Sequence, residues 1–358
     1  MANFGVIILC ARLKASLTGF GGTWIKEHAG LSSCLEEACG LDWQGLKQIQ
    51  SRKTNSMSLK HLEKRIDKAL KKGQKDSVVE PVRLDRDSKF KFRCYPGVSC
   101  FTKCCRNMNI ILTPYDIVRL KHRLGLSSDL FLRLYTEPEL LGITRIPVAR
   151  LKMLEDEGGR CPFVTERGCQ VYSDRPVCCR YYPVGLASLR QQEKHAGEEE
   201  EFFFIVKEPH CKGFDEETEW TVESWRQDQG SDFYDRMNRE WMELLLRKRS
   251  FGEETEMPPK ARELFFMVST NMERFRSFVF ESRFLDTYIV DGKVLRKILE
   301  DDVELMQFGF EYLKVAVFGA DSDVIKLRED ILNATVKKII KRRKKRRRRL
   351  ERLAKGRR

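Results

Sequence analysis

The 358 residues include 67 Lys/Arg against 53 Asp/Glu, a formal net charge of +14, with 41% hydrophobic residues and 12 cysteines. That length can bury one core, or one plus a smaller domain, and the apolar fraction argues against a disordered or fibrous chain. The charge is not spread evenly: residues 337–358 hold fifteen Lys/Arg against the single acid Glu351, which accounts for the whole +14 and leaves residues 1–336 neutral.

The start, "MANFGVIILCARLKASL", has a short apolar run with no basic residue before it, and Arg12 and Lys14 end it too early to span a bilayer. No other stretch approaches ~18 uncharged apolar residues, so no transmembrane segment is expected. The chain reads as cytoplasmic, where thiols stay reduced. A weak signal sequence would instead make the cysteines a disulfide framework in an exported protein.

Residues 1–56 form an atypical N-terminal extension, rich in Gly, Ser and Thr. Met57 reads as the start of translation, and an intact mass that includes residue 1 would refute this. Residues 57–89 contain a helix, with Leu59, Leu62, Ile66 and Ala69 on one stripe and Gly73 beyond its end, and then a charged linker. Residues 90–214 form a cysteine-rich domain that opens with the loop-like "FKFRCYPGVSCFTKCCRN".

"LTPYDIVRLKHRLG" follows with strong helix punctuation. Thr113 is the N-cap, Pro114 takes the first position, Asp116 faces the positive end and Gly125 is the stop. Ser127 or Ser128 caps a second helix through Leu134. "TRIPVARLKML", "CQVY" and Phe202 to Val206 read as strands, with a polar loop around Glu198 to Glu201. Residues 215–318 are helical, with Phe233, Met237, Trp241 and Leu244/Leu245 on one face for core packing. Residues 319–358 hold a last periodic segment, Val324 to Ile340, which runs into the basic tail.

Nine cysteines lie between residues 94 and 211, in the pattern C-x5-C-x3-C-C, then C-x7-C-x8-C-C, then Cys211. Soft thiolates at short loop spacings suit Zn²⁺ or an iron–sulfur cluster, and long gaps let separate segments be stapled together. The bland alternative is buried small hydrophobes, which the Gly- and Pro-bounded loops argue against. Two adjacent pairs, Cys104–Cys105 and Cys178–Cys179, are each followed by an arginine. In extended backbone neighbouring side chains point apart, so one member of each pair is spare, or the thiols serve two centres or a polynuclear cluster. Arg106 and Arg180 would then balance the negative charge of the thiolates, or are simply surface residues.

"CPF" at Cys161, "GC" at Cys169, "VYSDRP" and "CRYYP" at Cys179 follow "CCR" and "LTPYDI" in order. This succession, from about Phe92 to Phe214, resembles the YkgJ family of cysteine-cluster proteins, which carry a zinc- or iron-chelating domain. The resemblance implies eight ligands: Cys94, Cys100, Cys104, Cys105, Cys161, Cys169, Cys179 and Cys211. Cys178 falls on a variable position and is the extra thiol. The first spacing is longer than the C-x2-C common in the family, which puts Cys94 in doubt. The flagellin lysine methylase looks like a relative sharing this cluster, which keeps an enzyme role open.

His210 could add a nitrogen ligand but reads as a surface or hydrogen-bonding residue. Asp174, Arg175 and Pro176 read as a rigid turn with an ion pair, and Tyr181 and Tyr182 as a shield for the metal or as core. No P-loop, GxGxxG, GxSxG, HExxH or CxxxCxxC pattern is present. The tail is drawn to polyanions by counterion release, whether RNA, DNA or anionic lipid, and without aromatics such binding is nonspecific; the alternative is a solvated tail with no partner.

The expectation is an α+β protein: a cysteine-rich metal-binding domain with short antiparallel strands and helices, packed against a mostly helical C-terminal region. Its expected function is that of a cytoplasmic metal-binding protein holding zinc or an iron–sulfur cluster. The alternative is a cluster-dependent enzyme, either a redox protein or a protein methyltransferase.

Overall fold

A computed structural model describes residues 6–8, 82–156, 158–190, 199–250, 256–334, 337, 340, 341, 343 and 344. The helix expected within 57–89, the cysteines at 10, 34 and 39, and most of the basic tail lie outside the described residues. Contacts divide the chain into two compact units, Met1–Asn271 and Met272–Arg358. The protein is α+β: helices alternate with short antiparallel strands, and the C-terminal part is mostly helical. Among the described residues no helix is long and apolar enough to cross a membrane.

In the first unit, α1 (Pro114–Leu124) begins as its sequence dictates. The Asp116 N–H donates to Thr113 Oγ1 (3.2 Å) and the Thr113 N–H donates to Asp116 Oδ2 (2.9 Å). This reciprocal box satisfies donors that the first helical turn leaves open. Gly125, at φ 64°, ends the helix in the left-handed conformation that costs glycine least. Helix α2 (Ser128–Tyr135) is capped by Ser127, whose Oγ accepts from the Leu130 N–H.

Strand β4 (Thr136–Leu141) pairs antiparallel with β5 (Ile146–Leu151), and β5 pairs on its other side with β3 (Ile111–Leu112). Helix α6 (Pro259–Thr270) packs on β5. β5 is the strand expected from "TRIPVARLKML", and Ile146, Val148, Ala149 and Leu151 are buried.

A second sheet was only partly foreseen. Strand β8 (Val184–Arg190) pairs with β9 (Glu199–Ile205) and, on its other side, with β1 (Val6–Ile8). Glu199 to Glu201, expected in a loop, form the start of β9 and pair with Ser188 to Arg190. Backbone ladder bonds run on past the apolar stretch whatever the side-chain polarity. "CQVY" is likewise corrected. Only Cys169 is in a strand, β7 (Gly168–Cys169), paired with β6 (Val164–Thr165); Tyr172–Asp174 turn as a 3₁₀ helix. Strand β2 (Lys89–Lys91) pairs with β10 (Glu219–Thr221), with Lys89 Nζ 2.9 Å from Glu219.

The helical periodicity after residue 222 is interrupted where caps occur. Gly230, at φ 65°, separates α4 (Val222–Gln229) from α5 (Ser231–Ser250). The buried stripe of α5 runs through Tyr234, Asn238, Trp241, Leu244, Leu245 and Lys248. Phe233, expected on that stripe, is 44% exposed and meets Tyr115 edge-on from outside. Helix α5 packs on α1 and on the short α3 (Val177–Tyr181).

The second unit comprises α7 (Met272–Glu281), α8 (Phe284–Thr287), β11 (Tyr288–Val290), α9 (Gly292–Glu300), α10 (Asp302–Phe318) and β12 (Ile325–Leu327). Its core is a group of rings: Phe275, Phe278, Phe284, Phe308 and Tyr312. The segment expected as one helix from Val324 instead starts with β12, paired to β11; helix resumes at residues 329–334. β-Branched Ile325 fits the strand, which buries it.

Candidate metal centre

Cys100, Cys104 and Cys105 sit on a run of tight turns. N–H groups donate three residues back, from Val98 to Tyr95, Phe101 to Val98, Lys103 to Cys100 and Cys105 to Thr102. Thr102 and Asn107 take positive φ (64° and 52°), unusual for residues with a Cβ. The expectation that adjacent cysteines point apart assumed extended backbone. In this turn the Cys104 and Cys105 sulfurs lie 4.0 Å apart. The edge of a tetrahedral zinc–thiolate site is about 3.8 Å, so both sulfurs of this pair can face the same region.

Other cysteine-bearing segments reach this run through backbone bonds. The Arg93 N–H donates to Gly213 O (2.9 Å), laying Cys94 alongside the Cys211 segment. The Lys212 N–H donates to Cys100 Sγ at 3.1 Å across 112 residues. The Cys161 N–H donates to Cys105 O (2.9 Å), and the Asn107 N–H to Gly159 O (2.8 Å). The Val164 N–H donates to Cys161 O, and Val164 faces Cys169 across β6 and β7. Cys178 and Cys179 sit in α3, whose first N–H, from Val177, donates to Asp116 Oδ1 at 2.9 Å.

Cys100 and Cys178 are buried and Cys94 is exposed. Among the described residues, no three His, Cys, Asp or Glu side chains stand in metal-ligating geometry. The fit therefore rests on donor chemistry and on the convergence of the segments. All eight donors are soft sulfurs suited to zinc or iron, and one sulfur already accepts a backbone N–H as bound thiolates do.

Cys211 is half-buried. Burial pushes the Cys211 thiol up, as do the neighbouring Cys100 and Cys104, while Tyr182 and the Gly213 backbone oppose the rise. Tyr182 packs edge-on against Phe92, which also meets Phe214 and Trp225. Tyr181 is core: its hydroxyl donates to Asp235, and Arg226 donates to it. His210 is 3.7 Å from the buried Glu208, an ion pair when the ring is protonated.

The arginines differ from expectation. Arg180 is buried and turned to α4 and α5. It donates to Gln229 O (2.8 Å), Ser173 O and the Tyr234 hydroxyl (2.9 Å). Because α3 is helical, the residue after Cys179 faces the neighbouring helices. The Arg106 guanidinium lies over Gly158, and its backbone bridges Arg160. Arg175 is placed where cysteine charge reaches it. Burial lowers its pKa, and Cys179 and Cys169 are among the groups that counter this. Its guanidinium donates to Tyr172 O (2.6 Å) and Gln229 Oε1. Asp174 makes the turn's ion pair, with Arg119. Arg175 and Arg180 lie either side of the adjacent pair Cys178–Cys179.

A family model named CxxCxxCC and described as a "putative zinc- or iron-chelating domain" matches this chain. The match spans residues 93–212. The matched segment is about a third of the chain, runs from just before Cys94 to just after Cys211, and coincides with the expected YkgJ-type resemblance. It supports a metal-binding protein with zinc or iron as its cofactor. No curated protein and no solved structure matches.

Proposed function

We propose that the chain is a cytoplasmic metal-binding protein in which Cys94, Cys100, Cys104, Cys105, Cys161, Cys169, Cys179 and Cys211 hold zinc or an iron–sulfur centre. The observation that carries this reading is the bond from the Lys212 N–H to Cys100 Sγ. It makes a sulfur the partner of a backbone donor from the far end of the matched segment. Cysteine thiols bind metal as thiolates, so loading releases protons from these side chains.

The chain's own residues divide the remaining work. Backbone N–H groups of Lys212 and Gly213 and the Tyr182 hydroxyl stabilise sulfur charge. Phe92, Tyr182 and Phe214 keep water from one side, and Arg175 offsets charge at Cys169 and Cys179. Zinc would supply folding free energy, on the order of 10 kcal/mol, and an iron–sulfur centre would supply electron transfer. Anaerobic purification with metal analysis tests the reading. Absorbance near ~400 nm selects iron–sulfur, a colourless zinc-loaded sample selects the structural role, and a metal-free sample refutes both.

The tail from Lys337 to Arg358 would add nonspecific binding to a polyanion, whether RNA, DNA or anionic lipid, through its fifteen Lys/Arg. Its deletion should abolish salt-sensitive RNA retention; unchanged retention contradicts it.

A further inference from the structure

We propose that the helical residues near the C-terminus dock on an anionic lipid surface, with Leu332 and Ile340 entering the bilayer interface beside Lys337, Lys341 and Lys344. This rests on the polyanion reading of the tail above and commits it to one of the partners named there.

Residues 329–334, 337, 340, 341, 343 and 344 are helical, and the Leu332 N–H donates to Arg328 O (2.9 Å) in the first turn. Glu329 and Asp330 stand at that end, where the helix dipole favours acids. Beyond them the two sides of the helix differ. Leu332 and Ile340, eight residues apart, share one side. Both are large apolar side chains left 46% and 47% exposed. Lys337, Lys341 and Lys344, at spacings of four and three, share the neighbouring side and are exposed as well. Arg343 comes round to the apolar side at its far end, where a long cationic side chain can lay its stem along apolar surface and keep its head in water. No acid lies between Asp330 and Glu351.

An aliphatic side next to a cationic side on one helix suits the boundary between lipid headgroups and acyl chains. The acyl boundary takes Leu332 and Ile340, and anionic headgroups attract the lysines within a Debye length of the surface. Other occupants use only half of this surface. A nucleic acid strand pairs its phosphates with the lysines but leaves Leu332 and Ile340 in water, and residues 328–358 hold no aromatic ring for base stacking. A second copy of the helix covers the apolar side but brings the lysines of one copy against those of the other.

The full chain is sedimented with vesicles of phosphatidylcholine alone and with vesicles of phosphatidylcholine and phosphatidylglycerol in equal parts. Its retention on RNA is measured in parallel. Binding to the anionic vesicles only is expected. The double variant Leu332→Gln/Ile340→Gln keeps the charge and the helix propensity. It should bind these vesicles about tenfold more weakly, as loss of two half-exposed aliphatic side chains implies, with RNA retention unchanged. Because a variant can fail to fold, the unmutated chain is also tested at the salt concentration that just releases it from RNA. Part of it should stay on the anionic vesicles, since salt screens the charges and not the apolar contact. No sedimentation with anionic vesicles, equal vesicle affinity for the folded double variant, or complete release from vesicles at that salt overturns the lipid proposal alone. A chain that binds neither vesicles nor RNA overturns the polyanion reading as well.

Discussion

Asp116 ties two distant segments together: its Oδ1 accepts the Val177 N–H at 2.9 Å while its Oδ2 accepts the Thr113 N–H at 2.9 Å. The same carboxylate therefore starts α1 and fixes the first turn of the helix that carries Cys178 and Cys179. An amide at this position keeps one acceptor and turns an N–H₂ group on the other donor. Asp116→Asn should cost about 1–3 kcal/mol of stability and loosen α3. Urea unfolding checks the first expectation, and hydrogen exchange at Val177 and Cys178 checks the second.

Asp116 also sets a pH dependence. Burial pushes its pKa up to about 6, against the pull of the Thr113 and Val177 N–H groups. The folded value lies above the unfolded one, 3.8, so the ionised form carries a cost that is present above pH ~6 and relieved as pH falls towards ~4. By its pKa shift the cost is about 3 kcal/mol. The difference in stability between wild type and Asp116→Asn should therefore change between pH 7 and pH 4, with wild type gaining on acidification. Parallel curves for the two proteins contradict the assignment.

Arg175 and Arg180 should separate under substitution. Arg180→Met leaves Gln229 O and Ser173 O without their donor and should lower stability by about 2–4 kcal/mol. Metal content per folded molecule should stay unchanged. Arg175→Gln should weaken metal binding by about tenfold or more, as loss of supporting charge around thiolates does. Competition with a chromophoric zinc chelator measures this, and equal affinities for the two variants contradict the distinction.

Gly213 is a close-approach glycine. A Cβ there would stand 2.9 Å from Arg93 O and 2.7 Å from Phe92 Cε2. Gly213→Ala should push these segments apart, cost about 1–3 kcal/mol and weaken the hold on Cys94 and Cys211. Thermal unfolding and metal content report the two effects separately.

How far the sequence could be read depended on whether the deciding forces were local. Thr113, Pro114, Asp116 and Gly125 announce α1 because capping is decided within one turn. Asp116's second bond, to Val177, was invisible because it spans 61 residues. Strand β8 escaped notice because its partners, β1 and β9, decide it. The crowding of thiols between residues 94 and 211 was legible from the sequence. Which sulfurs neighbour which was not, because the turns at 95–105 and the helix at 177–181 replace the extended backbone assumed for the adjacent pairs. The turn of Arg180 toward α4 and α5 was hidden for the same reason.

The central claim, a metal held by sulfur alone, is tested most directly by X-ray absorption at the metal edge of the anaerobically isolated protein. A first coordination shell of sulfur only, at about 2.3 Å for zinc, is the predicted result. A shell dominated by nitrogen or oxygen, or no metal edge at all, contradicts it.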